Sequence, residues 1–118
     1  MNSRFIISED QHVVVCLIRS KGHLFKGIAL CKDTDNPNLE IGKKLAQCRA
    51  DFQIRKKDLS EIRLVRDYLK ITINNLPKYH SKLWMNYYQD ACRVEKIQLK
   101  HIKNLKNQIK NLCNGIII

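Results

Sequence analysis

The sequence predicts an α+β fold: a small antiparallel two- or three-stranded sheet followed by three helices, the last of them long and amphipathic. Three observations carry this expectation. A β-branched run, His12 to Arg19, precedes a glycine-containing reversal and a second apolar stretch. From Asn36-Pro37 onward the apolar residues recur in steps of three and four, the period of a helix. The stretch from Ser81 to Cys113 contains neither glycine nor proline.

Taken in order, Arg4 to Ser8 is short and apolar at Phe5, Ile6 and Ile7, and Glu9-Asp10-Gln11 supplies a polar turn. His12 to Arg19 has the composition of a strand buried against something. Ser20-Lys21-Gly22-His23 forms the reversal, with a glycine that accepts positive φ, and Leu24 to Lys32 is the next strand of an expected three-stranded meander. Asn36 is a capping residue and Pro37 a first helical residue. Ile41, Leu45, Cys48 and Phe52 then make one apolar helix face, ending near Arg55.

Asp58, with Glu61 three residues on, matches a capping box, so a second helix is expected over 58–76. Its stripe is Leu59, Ile62, Val65, Leu69, Ile73 and Leu76, and Pro77 ends it. Ile71-Thr72-Ile73 favours a strand, but the periodicity keeps it helical. The third helix, over 81–113, would be roughly 48 Å long at 1.5 Å per residue. Ile102, Leu105, Ile109 and Leu112 repeat like a coiled-coil seam, and one step back the same register meets Gln98 and Glu95. That stripe is expected to meet either a second copy, giving a homodimer, or the sheet. Gly115 marks the stop, before the apolar end Ile116-Ile117-Ile118.

At 118 residues the chain is expected to be a single domain over 1–118: sheet plus first helix in 1–57, then helices over 58–76 and 81–113. Its net charge is +11, and the excess is not confined to a tail: residues 1–57 hold 11 basic and 6 acidic groups, residues 58–118 hold 11 and 5. Such an excess opposes folding by self-repulsion and points to a negative partner. The longest apolar run, Val13 to Ile18, is much shorter than the roughly 20 residues of a membrane-spanning helix, and no signal-peptide pattern opens the chain. A cytoplasmic protein without membrane contact is therefore expected. The five cysteines include no Cys-x-x-Cys pair, and reduced, buried thiols are the expectation.

Charge on the last helix is the strongest functional signal. From Arg93 to Lys110 the basic residues Arg93, Lys96, Lys100, Lys103, Lys106 and Lys110 face a single acid, Glu95. At 100° per residue, Lys96, Lys100, Lys103 and Lys110 share a sector about 80° wide, roughly opposite the Ile102/Leu105/Ile109/Leu112 stripe. Solvated helix faces usually mix signs, and this one does not. A second cluster comprises Arg55, Lys56 and Lys57 with Arg63, Arg66 and Lys70 one helix later; its arginines suit forked contacts to phosphate or carboxylate.

Other constellations have bland readings. Trp84, Tyr87 and Tyr88 fit core packing better than base stacking, while Tyr79 and His80 lie in the preceding loop. His12, His23, His80 and His101 share no ligand spacing with the cysteines, so no metal is expected. Asp33 and Asp35 lie beside the helix start, where capping and the helix dipole account for them. No phosphate-cradling loop or nucleophile elbow is present. No enzyme, cofactor or small-molecule substrate is expected.

The segment Gly27-Ile28-Ala29-Leu30-Cys31, Asp33, Ile41-Gly42, Leu45-Ala46, Arg49-Ala50 resembles a pattern in small proteins encoded by phages and mobile elements of low-GC Gram-positive bacteria. The resemblance covers residues 24–50 and implies a double-stranded-RNA-binding-like arrangement of strands packed on a helix, in the cytoplasm of a bacterial host. It carries no functional residue. By analogy it implies a counter-defence, anti-CRISPR-like inhibitor of a host nuclease. The expected function is binding of nucleic acid or of a nucleic-acid-handling protein complex, with a sequence-independent RNA or DNA binder and a structural coiled-coil oligomer as alternatives.

Overall fold

The computed structural model describes residues 3–30 and 39–113, leaving aside the side chains of 78–81. Strands β1 (Ser3–Ile7), β2 (Val13–Ser20) and β3 (His23–Leu30) form an antiparallel meander in the order β1-β2-β3. Two helices follow, α1 (Leu39–Asn74) and α2 (Lys78–Cys113). The expected strand pairing and its reversal at Gly22 hold over His23–Leu30, with Cys31 and Lys32 outside the described residues. Lys21 and Gly22 have φ values of 51° and 78°, the two positive values that a tight turn matched to strand twist demands. The turn before β2 is built from side chains: Ser8 Oγ donates to Asp10 Oδ1 and accepts from the Val13 amide, while the His12 amide donates to Asp10. These bonds hold the Asp10 carboxyl below its usual range, the Ser8 bond most strongly.

The expectation of three helices is overturned, because the segments assigned to the first and second are one helix of 36 residues. Ile54, Arg55, Lys56 and Lys57 include no glycine or proline, so the carbonyls ahead of Asp58 remain in helical position. The amides after Asp58 take those carbonyls and have no use for a capping carboxylate. Phe52 and Leu59 are also seven residues apart, two helical turns, so the two apolar stripes are in phase. Ile71-Thr72-Ile73 is helical, and the Thr72 hydroxyl donates to the Tyr68 carbonyl one turn back. α1 closes on bonds from the Asn75 and Leu76 amides to the Thr72 and Ile73 carbonyls, ahead of Pro77. The proposed start at Asn36-Pro37 lies outside the described residues.

The chain divides into two compact units, and both helices contribute to each. The sheet unit comprises Met1–Ile54 and Ile102–Ile118. Its core is Val14, Cys16, Ile18 and Ala29 from the inner sheet face against Leu45, Ala46, Ala50 and Ile54 of α1, with Ile109 and Leu112 of α2 packed alongside. Gly27 lets β3 approach α1: a Cβ there would run into the Ala46 carbonyl oxygen and the Ala50 amide nitrogen and stand 2.9 Å from Arg49 Cβ. Arg49 Nη1 donates to the Ile28 carbonyl on edge strand β3 at 2.5 Å, and its Nη2 to Cys113 Sγ at 3.5 Å. The other unit, Arg55–His101, buries Leu59, Leu69 and Ala91.

Candidate functional site

Within the helical unit, charge is partly consumed internally. Glu95, the lone acid on the basic stretch of α2, accepts from Arg63 Nε at 2.8 Å and from Arg66 Nη1 at 2.5 Å, and its side chain is only 13% exposed. Both guanidinium groups lower the Glu95 pKa, the Arg63 bond most strongly, against the opposing effect of burial. Glu95 in turn raises the Arg66 pKa, assisted by Asp67. Arg55 Nη1 reaches Gln98 Oε1 at 3.4 Å. Gln98 and Glu95, the polar members of the α2 register, thus meet Arg55 and Arg66, which recur on α1 in step with Leu59, Ile62 and Leu69.

This placement sorts the basic residues. Arg55, Arg63 and Arg66 hold internal partners, and Arg93 pairs with Asp90 at 3.3 Å on the surface. Val65, expected in the inward stripe, is 48% exposed, while Arg66 takes the inward position. Lys70 is exposed, as is Lys56, and Lys57 is half-buried. On α2, Lys96 and Lys100 are exposed in the helical unit; Lys103, Lys106 and Lys110 are exposed in the sheet unit. Lys106 Nζ stands 5.9 Å from the centre of the Phe52 ring. The angular sector of Lys96, Lys100, Lys103 and Lys110 contains no acid. Chemically each of these lysines is a point charge without the forked geometry of arginine, suited to a phosphate oxygen or a carboxylate.

The stripe Ile102, Leu105, Ile109 and Leu112 is used inside the chain. Ile102 is buried, Leu105 is half-buried, and Ile109 and Leu112 pack against the sheet-unit core. Trp84 and Tyr88 are half-buried, Tyr87 is exposed, and Trp84 meets Tyr87 edge-on at 6.0 Å. The side chains of Tyr79 and His80, and all of Cys31, Asp33 and Asp35, lie outside what the structure describes.

Among the described residues Cys16, Cys48, Cys92 and Cys113 are free thiols, and no three His, Cys, Asp or Glu side chains form a group able to hold a metal. Burial pushes the Cys16 and Cys48 thiols up, aided by the Asp51 charge. Cys48 lines an open groove of about 470 Å³ in the sheet unit, where it donates to Gln108 Oε1 at 3.6 Å. A protonated thiol bonded to an amide is a poor nucleophile. No helix among the described residues is long and apolar enough to cross a membrane.

The internal role of Glu95 and the approach at Gly27 escaped the sequence reading. The signal for Glu95 was present: Trp84, Tyr88, Ala91, Glu95, Gln98 and Ile102 alternate steps of four and three without a break. In comparisons with protein families, curated proteins and solved structures, no family model, curated protein or solved structure matches this chain.

Proposed function

We propose that this chain is a basic binding protein, acting without catalysis, that engages nucleic acid or a nucleic-acid-handling protein complex through the lysine face of α2. One observation carries the reading: Lys96, Lys100, Lys103 and Lys110 are exposed on an acid-free sector while the nearest acid, Glu95, is held by Arg63 and Arg66. Commitment of the arginines to internal partners favours contact with a phosphate backbone over reading of base edges, since backbone contacts need charge and base contacts need forked geometry. The resemblance over residues 24–50 extends the proposal to a phage-encoded, anti-CRISPR-like inhibitor that occupies a host nuclease's nucleic-acid or assembly surface.

The test is fluorescence anisotropy of labelled RNA and DNA duplexes with the full chain, from about 50 to 200 mM salt. Four phosphate contacts predict a slope of log affinity against log salt of about −3.6. Affinity that does not respond to salt, or no binding together with no nucleoprotein partner captured from host lysate, would sink the reading. Capture repeated after nuclease treatment separates the two partner classes.

A further inference from the structure

The sheet has two faces, and the fold of the described residues accounts for one of them. Phe5 and Ile7 of β1, Val14, Cys16 and Ile18 of β2, and Phe25, Gly27 and Ala29 of β3 lie on the inner face, where α1 covers them. The residues between point outward. An antiparallel sheet with one solvated face normally alternates apolar inward with polar outward. β2 does not alternate: Val13 to Ile18 is apolar at every position, the pattern of a strand covered on both sides.

The neighbouring strands repeat this. Ten positions face outward on the three strands; seven are apolar and the other three are Arg4, Arg19 and Lys26, with no acid. Ile6 is 53% exposed, Leu24 59%, Ile28 39% and Leu30 44%, while Val13, Val15 and Leu17 are half-buried, so the described residues leave much of the second face open. The register sets Ile6, Val15 and Ile28 in one row and Arg4, Leu17 and Lys26 in another. In that second row, positive residues on both edge strands flank an apolar centre. Arg4, Arg19 and Lys26 have no ion-pair partner among the described residues.

We propose that this outer sheet face docks one amphipathic α-helix of a partner protein, with an apolar stripe flanked by acidic residues. Dimensions and charge both select that occupant. Two strands of eight residues and one of five, spaced about 4.8 Å apart, offer a face roughly 14 Å wide and at most about 27 Å long. One helix, about 10–12 Å across and about 18 residues long, fills it. A second copy would bring Arg4, Arg19 and Lys26 of its own against the same charges, whereas a face of at most about 400 Å², below the roughly 800 Å² per partner of a standard interface, suits a single helix held transiently. A helix with acids on both flanks of its stripe pairs with Arg4 on one side and Lys26 on the other. This surface shares no residue with the lysine face of α2.

The test uses the full chain and two synthetic helical peptides of about 18 residues that share a leucine stripe, one flanked by glutamates and the other by lysines. The glutamate-flanked peptide is expected to bind saturably at one to one, at least tenfold more tightly than its counterpart. Ile28→Glu should abolish that binding while leaving the far-ultraviolet spectrum and the protection of Cys16 unchanged. Arg4→Glu combined with Lys26→Glu should reverse the preference between the peptides, whereas Lys100→Glu should not, which separates this surface from the lysine face. Five results would each overturn the proposal: equal binding of both peptides; no binding of either; binding only to phosphatidylserine vesicles; a dimer by light scattering that Ile28→Glu dissociates; or tighter peptide binding once Ile116, Ile117 and Ile118 are changed to serine, which would make the chain's own end the occupant.

Discussion

A single methyl group at position 27 should unseat α1 from the sheet. Gly27 is buried opposite Cys16 in the β2–β3 register, and a Cβ there meets the Ala46 carbonyl oxygen, the Ala50 amide nitrogen and Arg49 Cβ. Two of these are backbone atoms of one continuous helix, so none can swing aside alone. Either α1 moves outward or β3 twists, and a radial gap of 0.5–1 Å already forfeits about a quarter to a half of the dispersion attraction across it. That loss falls on contacts of Val14, Ala29, Leu45 and Ala46. Overpacking typically costs about 1–3 kcal/mol, and an obstacle made of backbone places Gly27→Ala near 3 kcal/mol.

Cys16 reports the effect, because its thiol is fully buried in the same core. A loss of about 3 kcal/mol corresponds to roughly a hundredfold faster labelling of Cys16 under native conditions, together with a lower urea midpoint. Gly22→Ala is the control: no atom lies within 4 Å of its Cβ position and only the φ of +78° is strained, so about 1 kcal/mol is expected. Cys16 labelling in Gly27→Ala within threefold of the parent protein would refute the close-approach argument.

Three further outcomes are expected. The folded pKa of Glu95 is depressed, so its contribution to the helical unit is full above the ordinary glutamate value of about 4.3 and is lost as pH falls through the lower folded value; Glu95→Gln should remove that acid sensitivity of the melting temperature, and an unchanged acid limb would contradict it. Leu105→Lys with Ile109→Lys should destabilise the sheet unit and expose Cys16, since Ile109 packs on its core; unchanged light-scattering mass and melting temperature would show the stripe to be idle. Arg66→Ala should lower the melting temperature while weakening duplex binding less than Lys100→Ala does, because Arg66 is held by Glu95 and Asp67; the reverse ranking in anisotropy would return the arginines to the binding surface.

Where local chemistry and tertiary packing agreed, the sequence was legible. Gly22 announced its turn because few residues tolerate that φ, and the step pattern of Leu45, Cys48 and Phe52 announced a helix because its period matches. The Asp58–Glu61 pattern misled because a capping box is a local signal, and an unbroken run of helix-forming residues ahead of it removed the free amides it would serve. Arg63 and Arg66 look like outward contacts in the sequence because the partner that draws them in, Glu95, lies some thirty residues away on the other helix. Glu95 in turn looked like a flaw in an apolar seam until its arginine partners were in view. The lysines of α2 were legible because a helical face follows directly from spacing.

Those four lysines carry the proposed binding. Changing Lys96, Lys100, Lys103 and Lys110 together to Glu moves the net charge from +11 to +3. All four are exposed, so each change should alter stability by less than about 0.5 kcal/mol. Salt-dependent anisotropy of the variant against an RNA duplex should show a large loss of affinity and a slope flattened by up to about 3.6 from that of the parent protein. A variant that folds normally and keeps the parent's affinity and slope would show the lysine face to be no more than a solvated surface.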